Sequence, residues 1–485
     1  MRSAAEATLV GKEPSHAIDK GETMQVRLRA AILVALLVPL PGSALARLEA
    51  PGRLEIAVPP DTASDVGALK RRRSALLEAL EPGIAFLRSA DPREMGEHPQ
   101  DSDFRQDNDF YYLTGLETTG SWLVMFKPAV GSGSIVLYVP EPNAREEMWT
   151  GRRGGTAEAV SQATGIDAVR PASQFKAEIM SQLGQTHGPT ELTHIYIPFG
   201  DQSSDVRAVA EAAMEARRSI SDLGKPLADL RVVKDSLEIA RLRRAIDITA
   251  AAQREAMRAA EPGMHEYELE AIVEYVFRSF GAERVGFPTI VGSGPNSVIL
   301  HYDRNRRETE AGDLVVIDAG AEYGYYTADV TRTFPVSGKF TPRQRDIYEL
   351  VLATQRAAIA AVRPGATVWE LERVARRYMR ENSGELCGEA TCDRYFVHGL
   401  SHWLGMDVHD VGDYTRPLEP GMVLTIEPGI YLPDEELGVR IEDDVLVTDS
   451  GNEVLSAAAP KSVVEVESLM AERPRWVEPP TSATR

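Results

Sequence analysis

Four carboxylates and one imidazole, spread over about 125 residues of the second half of the chain, have the types and order to hold metal. Asp313 to Gly320 reads DLVVIDAG, an apolar strand ending in a carboxylate, and Tyr325 to Phe334 reads YYTADVTRTF, a second strand with an acid inside it. A two-residue turn at Tyr323-Gly324 makes these a hairpin in which Asp318 and Asp329 face each other. Side chains so opposed have Cβ atoms roughly 4.5–5.5 Å apart. Two ionised carboxylates that close repel, so one must keep a proton or a cation must sit between them. On a solvated face screening would remove the problem, but Val315, Val316 and Ile317 indicate burial.

Further along, VHGLSHWLG carries His398 and His402, and DVHDVG carries His409. A four-residue spacing puts two histidines on one face if the segment is helical, and the nearby glycines let backbone approach a site closely. VLTIEPGIYL is a strand ending at Glu427, and GVRIEDDVLV places Arg440 and Glu442 on one face of another strand. Arg440 is placed to neutralise or orient a carboxylate. Taken singly, each acid could equally be a solvated sheet residue. Asp318, Asp329, His402, Glu427 and Glu442 together carry four negative charges, which two divalent cations balance. Oxygen-rich ligation with one imidazole suits Mn²⁺, with Co²⁺, Fe²⁺ and Zn²⁺ as alternatives. Mg²⁺ fits less well because it keeps several waters.

These stretches resemble the pita-bread metallopeptidases, the family of methionine aminopeptidases, prolidases, creatinase and Xaa-Pro aminopeptidases. VIDAGAEYGYYTADVTRTFP, HGLSHWLGMDVHDVG and TIEPGIY are most similar to bacterial aminopeptidase P, as are DFRQDNDFYYLTG and MWTGRRGG in the first half. Creatinase lacks the metal ligands, and methionine aminopeptidases lack the first domain. The resemblance implies an α+β chain with a C-terminal pita-bread (creatinase/aminopeptidase) domain preceded by a smaller α/β creatinase-like domain. It implies two bound metals, Asp329 and Glu442 bridging both, Asp318 completing one shell, and His402 and Glu427 the other. It further implies a metal-bridging hydroxide as nucleophile and Glu427 as proton shuttle. His301 (in VILHY), His409 and His398 become catalytic or substrate-side histidines, and Arg440, Asp109 and Trp149 substrate-binding residues. The implied activity is removal of an N-terminal residue from peptides with proline second, the alternative being a dipeptide-only prolidase. A homo-oligomer, dimer or tetramer, is implied as well.

The elements that must position these residues follow from periodicity and punctuation. Asp235-Ser236-Leu237-Glu238 starts a helix running to about Ala260, before Pro262-Gly263. Further helices are predicted at Glu266–Phe280, Pro342–Val362 and Val368–Glu381, and an earlier one at Asp65–Leu87. Between Asp107 and Tyr138, runs such as FYYLTG and WLVMF read as strands. The expected organisation is a leader over 1–46, an α/β domain over 47–230, the catalytic domain over 231–471 and a disordered Pro- and Thr-rich tail over 472–485.

The leader reading rests on Arg27 and Arg29, the apolar run Ile32 to Leu40 and the small-residue site Ala44-Leu45-Ala46. It predicts export, periplasmic or secreted, with a signal peptide from about Met24 to Ala46. The bland alternative is a buried N-terminal helix on a cytoplasmic protein. The run is too short to span a bilayer, so no stable membrane insertion is expected. Cys387 and Cys392, the two cysteines, form either a local disulfide or two free thiols in a loop. A net charge of −20 over 485 residues excludes nucleic acid as a natural partner.

Overall fold

A computed structural model of the chain describes residues 66–91, 104–143, 145, 148, 156–184 and 194–472. The leader, Trp149 and all but the first residue of the tail 472–485 lie outside the described residues. No described helix is long and apolar enough to cross a membrane. The described residues fall within one compact unit.

The amino-terminal part is built on a six-stranded mixed sheet. Its strands lie in the order Ala168–Pro171, Ser134–Val139, Trp122–Lys127, Gly83–Arg88, His194–Ile197 and Ser219–Asp222. Trp122–Lys127 runs antiparallel to both neighbours, and the other pairs are parallel. Two sequence expectations fail here. The first helix is Val66–Ala79, not Asp65–Leu87, because Ile84 to Leu87 belongs to the central strand. That strand is buried almost throughout, so its apolar run has no period that separates it from helix. FYYLT is likewise helix, within Asn108–Thr114. The Asp107 side chain accepts from the Phe110 N–H, and Gly115 closes the helix in the left-handed region at φ 67°. These two caps outweigh the strand preference of the aromatic residues.

The carboxy-terminal part surrounds its site with small antiparallel sheets backed by long helices. Ser236–Ala259 starts with a capping box made by Asp235 and Glu238. Glu266–Ser279, Pro342–Ala361 and Val368–Glu381 form as predicted, within a residue at each end. Apolar faces of these helices and the strands Leu314–Ala319 and Val423–Ile426 share one core.

The hairpin that carries the first two acids turns one residue later than expected. Tyr323 pairs with Tyr326, so the turn is Gly324-Tyr325, with φ of 57° and 72°. Positive φ at both positions is the two-residue hairpin turn whose twist matches the strands. Consequently Thr331, not Asp329, faces Asp318. Tyr325 bears the unfavourable φ because its ring stacks on Tyr111 at 3.7 Å. Its hydroxyl also donates to Glu117 at 2.8 Å and accepts from the Gln106 N–H at 3.0 Å. This residue joins the two parts of the chain.

Candidate metal centre and its cavity

Moving the turn by one residue shifts Asp329 two positions from the residue opposite Asp318. Side chains alternate faces, so a two-residue offset keeps both acids on one face as diagonal neighbours. Glu427 follows the strand Val423–Ile426. The run VLTIEPGIYL breaks after it, and Gly429–Leu432 joins a different sheet. Glu442 lies in the break between Leu437–Arg440 and Asp443–Thr448. His398 and His402 are not on a helix; both lie in loop backbone. The position of His402 is fixed by bonds from the loop to the strand beside it. The His402 N–H donates to Thr425 Oγ1 at 3.1 Å, and the Thr425 N–H donates to the His402 carbonyl at 3.0 Å.

All five proposed ligands line one cavity of about 470 Å³, together with His301, His398, His409 and Arg440. Ligand atoms of Asp329, His402 and Glu442 lie within 4.8 Å of one another. His402 Nε2 is 3.3 Å from Asp329 Oδ2 and 3.6 Å from Glu427 Oε1. His402 Nδ1 is 3.1 Å from the Trp403 carbonyl. A carbonyl only accepts, so Nδ1 carries a hydrogen, and Nε2 is the ring nitrogen that faces the acids, the position from which it would ligate a metal.

The charges in this cavity are not balanced by protein groups. Burial, then the neighbouring Asp318, Asp444 and Glu427, push the Asp329 carboxyl well above its ordinary range. Burial, then Asp329, Glu427 and Asp318, do the same to Glu442. Burial raises Glu427 to about 7, although His402 and Arg440 pull the other way. Asp318 Oδ1 and Asp329 Oδ1 are buried acceptors without a protein donor. Unpaired buried acceptors and mutually repelling carboxylates are what a divalent cation relieves, so the donor set fits a metal.

Arg440 does what its spacing predicted: its Nη2 is 2.7 Å from Asp318 Oδ2. It also reveals residues that sequence reasoning missed. Arg440 Nη1 donates to the Tyr431 hydroxyl at 3.0 Å, and Arg440 Nε donates to Thr331 Oγ1 at 3.0 Å. Thr331 Oγ1 in turn donates to Glu442 at 2.6 Å. Tyr431 lies 2.8 Å from His398 Nε2, and His398 Nδ1 lies 2.8 Å from the Gly399 carbonyl. The carbonyl requires a hydrogen on Nδ1, so Nε2 accepts from Tyr431. Burial, then Arg440, lower His398 to about 4, which agrees with this neutral tautomer. His398 therefore spends both ring nitrogens on the protein. His409 is also lowered, by burial, then His402 and His301. Its ring sits 4.3 Å from that of His402. Phe287, Pro288, Ile290, Leu300 and Val408 form an apolar wall of the same cavity. Asp109 is not part of that wall; it pairs with Arg231 at 2.8 Å.

Comparison with known proteins agrees with this arrangement. Residues 240–449 match metallopeptidase family M24, and residues 69–190 match the aminopeptidase P, N-terminal domain. Over 427 residues the chain is 38% identical to a Xaa-Pro aminopeptidase of Escherichia coli (strain K12), covering 83% of this chain and 97% of that protein.

The chain belongs to the Xaa-Pro aminopeptidase family.

Xaa-Pro aminopeptidase 3 of Homo sapiens is 32% identical over 396 residues, 76% of this chain and 77% of that one. Among solved structures, proline aminopeptidase P II from Yersinia pestis superposes with a TM-score of 0.75 at 37% identity, covering 84% of this chain and 99% of that one. Zn-substituted E. coli aminopeptidase P in complex with product gives 0.76 at 37% identity, covering 84% and 98%. The architecture is therefore an aminopeptidase P-type N-terminal domain followed by a pita-bread metallopeptidase domain. Family membership makes the chain a metallo-aminopeptidase rather than a prolidase.

Proposed function

We propose that this chain hydrolyses the first peptide bond of substrates with proline in second place. The observation that carries the reading is the convergence of Asp318, Asp329, His402, Glu427 and Glu442 on one cavity beside an apolar wall. These five residues would hold two divalent cations, Mn²⁺ before Co²⁺, Fe²⁺ or Zn²⁺. Asp329 and Glu442 would serve both cations, Asp318 one of them, and His402 and Glu427 the other. Cations bound there would make hydroxide available near neutral pH and polarise the scissile carbonyl.

The residues of the chain do the rest. Glu427 accepts the proton of the attacking water and returns it to the departing proline nitrogen. His409 and His301 face the same cavity and stabilise the oxyanion that forms at the carbonyl. The proline nitrogen has no hydrogen to offer, so the ring is selected by shape against Phe287, Pro288, Ile290, Leu300 and Val408. Arg440 holds Asp318, Tyr431 and, through Thr331, Glu442 in place. Trp149 and Asp109, with a homo-oligomeric assembly of two or four chains, complete the reading for substrate binding.

Export is part of the proposal. The leader pattern at Met24 to Ala46 supports it, and so does the Cys387–Cys392 disulfide, since such bonds persist in oxidising compartments. The deciding experiment is hydrolysis of Xaa-Pro-Xaa, Xaa-Ala-Xaa and Gly-Pro peptides by purified protein with and without Mn²⁺. Metal-dependent cleavage of the first alone supports the reading. Cleavage of Gly-Pro alone would make the enzyme a dipeptidase, and no cleavage would remove the proposal.

A further inference from the structure

We propose that Arg231 is a positioning residue for catalysis: it ties the amino-terminal part to the loop 402–410 and thereby turns His409 into the cavity. The inference rests on the functional reading above, since it assigns Arg231 a part in the same site.

Arg231 ends the helix Gly224–Arg231 and is almost fully buried. Its Nη1 is 2.8 Å from Asp109 of the amino-terminal helix Asn108–Thr114. Its Nη2 is 3.0 Å from Asp407 and 2.6 Å from Asp410. Asp410 also takes Lys234 Nζ at 3.1 Å, and neither of these two side chains is more than 1% exposed. The two acids of the loop thus bracket Val408 and His409, and both are pulled toward one guanidinium. Its planar fork reaches three carboxylates at once, which an ammonium on a flexible stem cannot do in a fixed geometry.

The loop itself is closed tightly around Asp410. The Asp410 N–H donates to the Trp403 carbonyl at 2.9 Å, and the Gly405 N–H to the Asp407 carbonyl at 3.2 Å. A Cβ on Gly405 would stand 2.0 Å from Asp410 Oδ2, so glycine is required for the carboxylate to enter the loop. With Asp410 anchored inward, the preceding residue, His409, points the other way, into the cavity and against His402. A second tie from the amino-terminal part, Arg105 Nη2 to the Met406 carbonyl at 3.0 Å, holds the same loop.

Stability does not explain this cluster. Burying two cations and a carboxylate costs several kcal/mol per ion before pairing, and apolar packing of equal volume commonly does as well. What the ions supply is one fixed geometry, and small displacements of catalytic groups cost large factors in rate. Neither Arg231 nor Asp410 lines the cavity, so Arg231 acts through the loop and not on substrate.

The test is a double-mutant cycle on the full-length, metal-loaded protein with an Xaa-Pro-Xaa peptide. Arg231→Lys keeps the charge and loses the fork. It is expected to lower kcat about tenfold or more, as misplacement does. KM and bound metal should stay within about twofold of wild type, since uniform binding is untouched. On a His409→Ala background the same substitution should cost less than about twofold, because the group it positions is gone. Wild-type kcat in Arg231→Lys, or the same factor lost on both backgrounds, overturns the inference. Should Arg231→Lys fail to fold at the assay temperature, Asp407→Asn decides by the same criteria. It removes one half-exposed arm and is expected to cost about threefold in kcat. Absence of cleavage by the wild type would instead sink the functional reading on its own.

Discussion

Replacing Glu427 by glutamine should stabilise the metal-free protein while destroying its use of metal. The carboxyl is held at about 7 against an ordinary 4.5, chiefly by burial, with Asp318 adding repulsion and His402 and Arg440 opposing. The sign follows from which state loses its proton first. Between 4.5 and 7 the unfolded chain ionises this group while the folded protein resists, so stability falls as pH rises. Above 7 the loss is complete, and a shift from 4.5 to about 7 corresponds to about 3 kcal/mol at most. Glutamine keeps the shape and has nothing to ionise. The assay is urea unfolding of metal-stripped wild type and Glu427→Gln between pH 4.5 and pH 8, repeated with Mn²⁺. Stripped Glu427→Gln should exceed stripped wild type by up to about 3 kcal/mol near pH 8, the gap closing toward pH 4.5. Added Mn²⁺ should reverse the order, because wild type gains binding free energy that the variant forgoes. A stripped variant no more stable than wild type near pH 8, or a gap independent of pH, would refute the claim that the buried pocket penalises a charged carboxylate at Glu427.

Two further outcomes concern the frame around the site. Asp443 is fully buried against Arg332 Nη2 at 2.7 Å and also contacts Lys461. Burial alone would raise its carboxyl, but Arg332 and Lys461 outweigh it and hold it at about 2. Asp443→Asn should therefore cost about 3–5 kcal/mol in urea unfolding, since it strands a buried guanidinium. The Cys387–Cys392 bond closes a sequence separation of 5. Reduction, or the pair Cys387→Ser and Cys392→Ser, should cost about 2 kcal/mol by loop entropy, read as a lowered unfolding midpoint.

The convergence of these five residues on one cavity was legible in the sequence because metal ligation constrains residue type and order, and both survive errors in local structure. The hairpin shows why: the sequence predicts its turn at Tyr323-Gly324, one residue early, yet strand alternation keeps Asp318 and Asp329 on one face. The true turn uses Tyr325 at φ 72°, a conformation held by Tyr111, Gln106 and Glu117 from the other part of the chain. Nothing within the hairpin announces those partners. The strand reading of FYYLTG failed because aromatic residues suggested a sheet while the Asp107 and Gly115 caps decided for helix. The helix start at Asp235 was readable because a capping box is local. Tyr431 and Thr331 were missed since each acts through Arg440. Correct register would have exposed Thr331 as the residue facing Asp318. The Arg231 cluster joins positions 122, 176 and 179 residues apart, and only the fold brings them together.

The central claim is that a set of buried acids and one imidazole works only when cations neutralise it. Metal analysis of stripped and reloaded protein, alongside cleavage of an Xaa-Pro-Xaa peptide, tests it most directly. The account predicts about two divalent ions per chain, with activity regained in step with uptake. It also predicts that Asp329→Asn loses bound metal and all cleavage. Asp329→Asn retaining near-normal activity, or stripped wild type cleaving at its full rate, would contradict it.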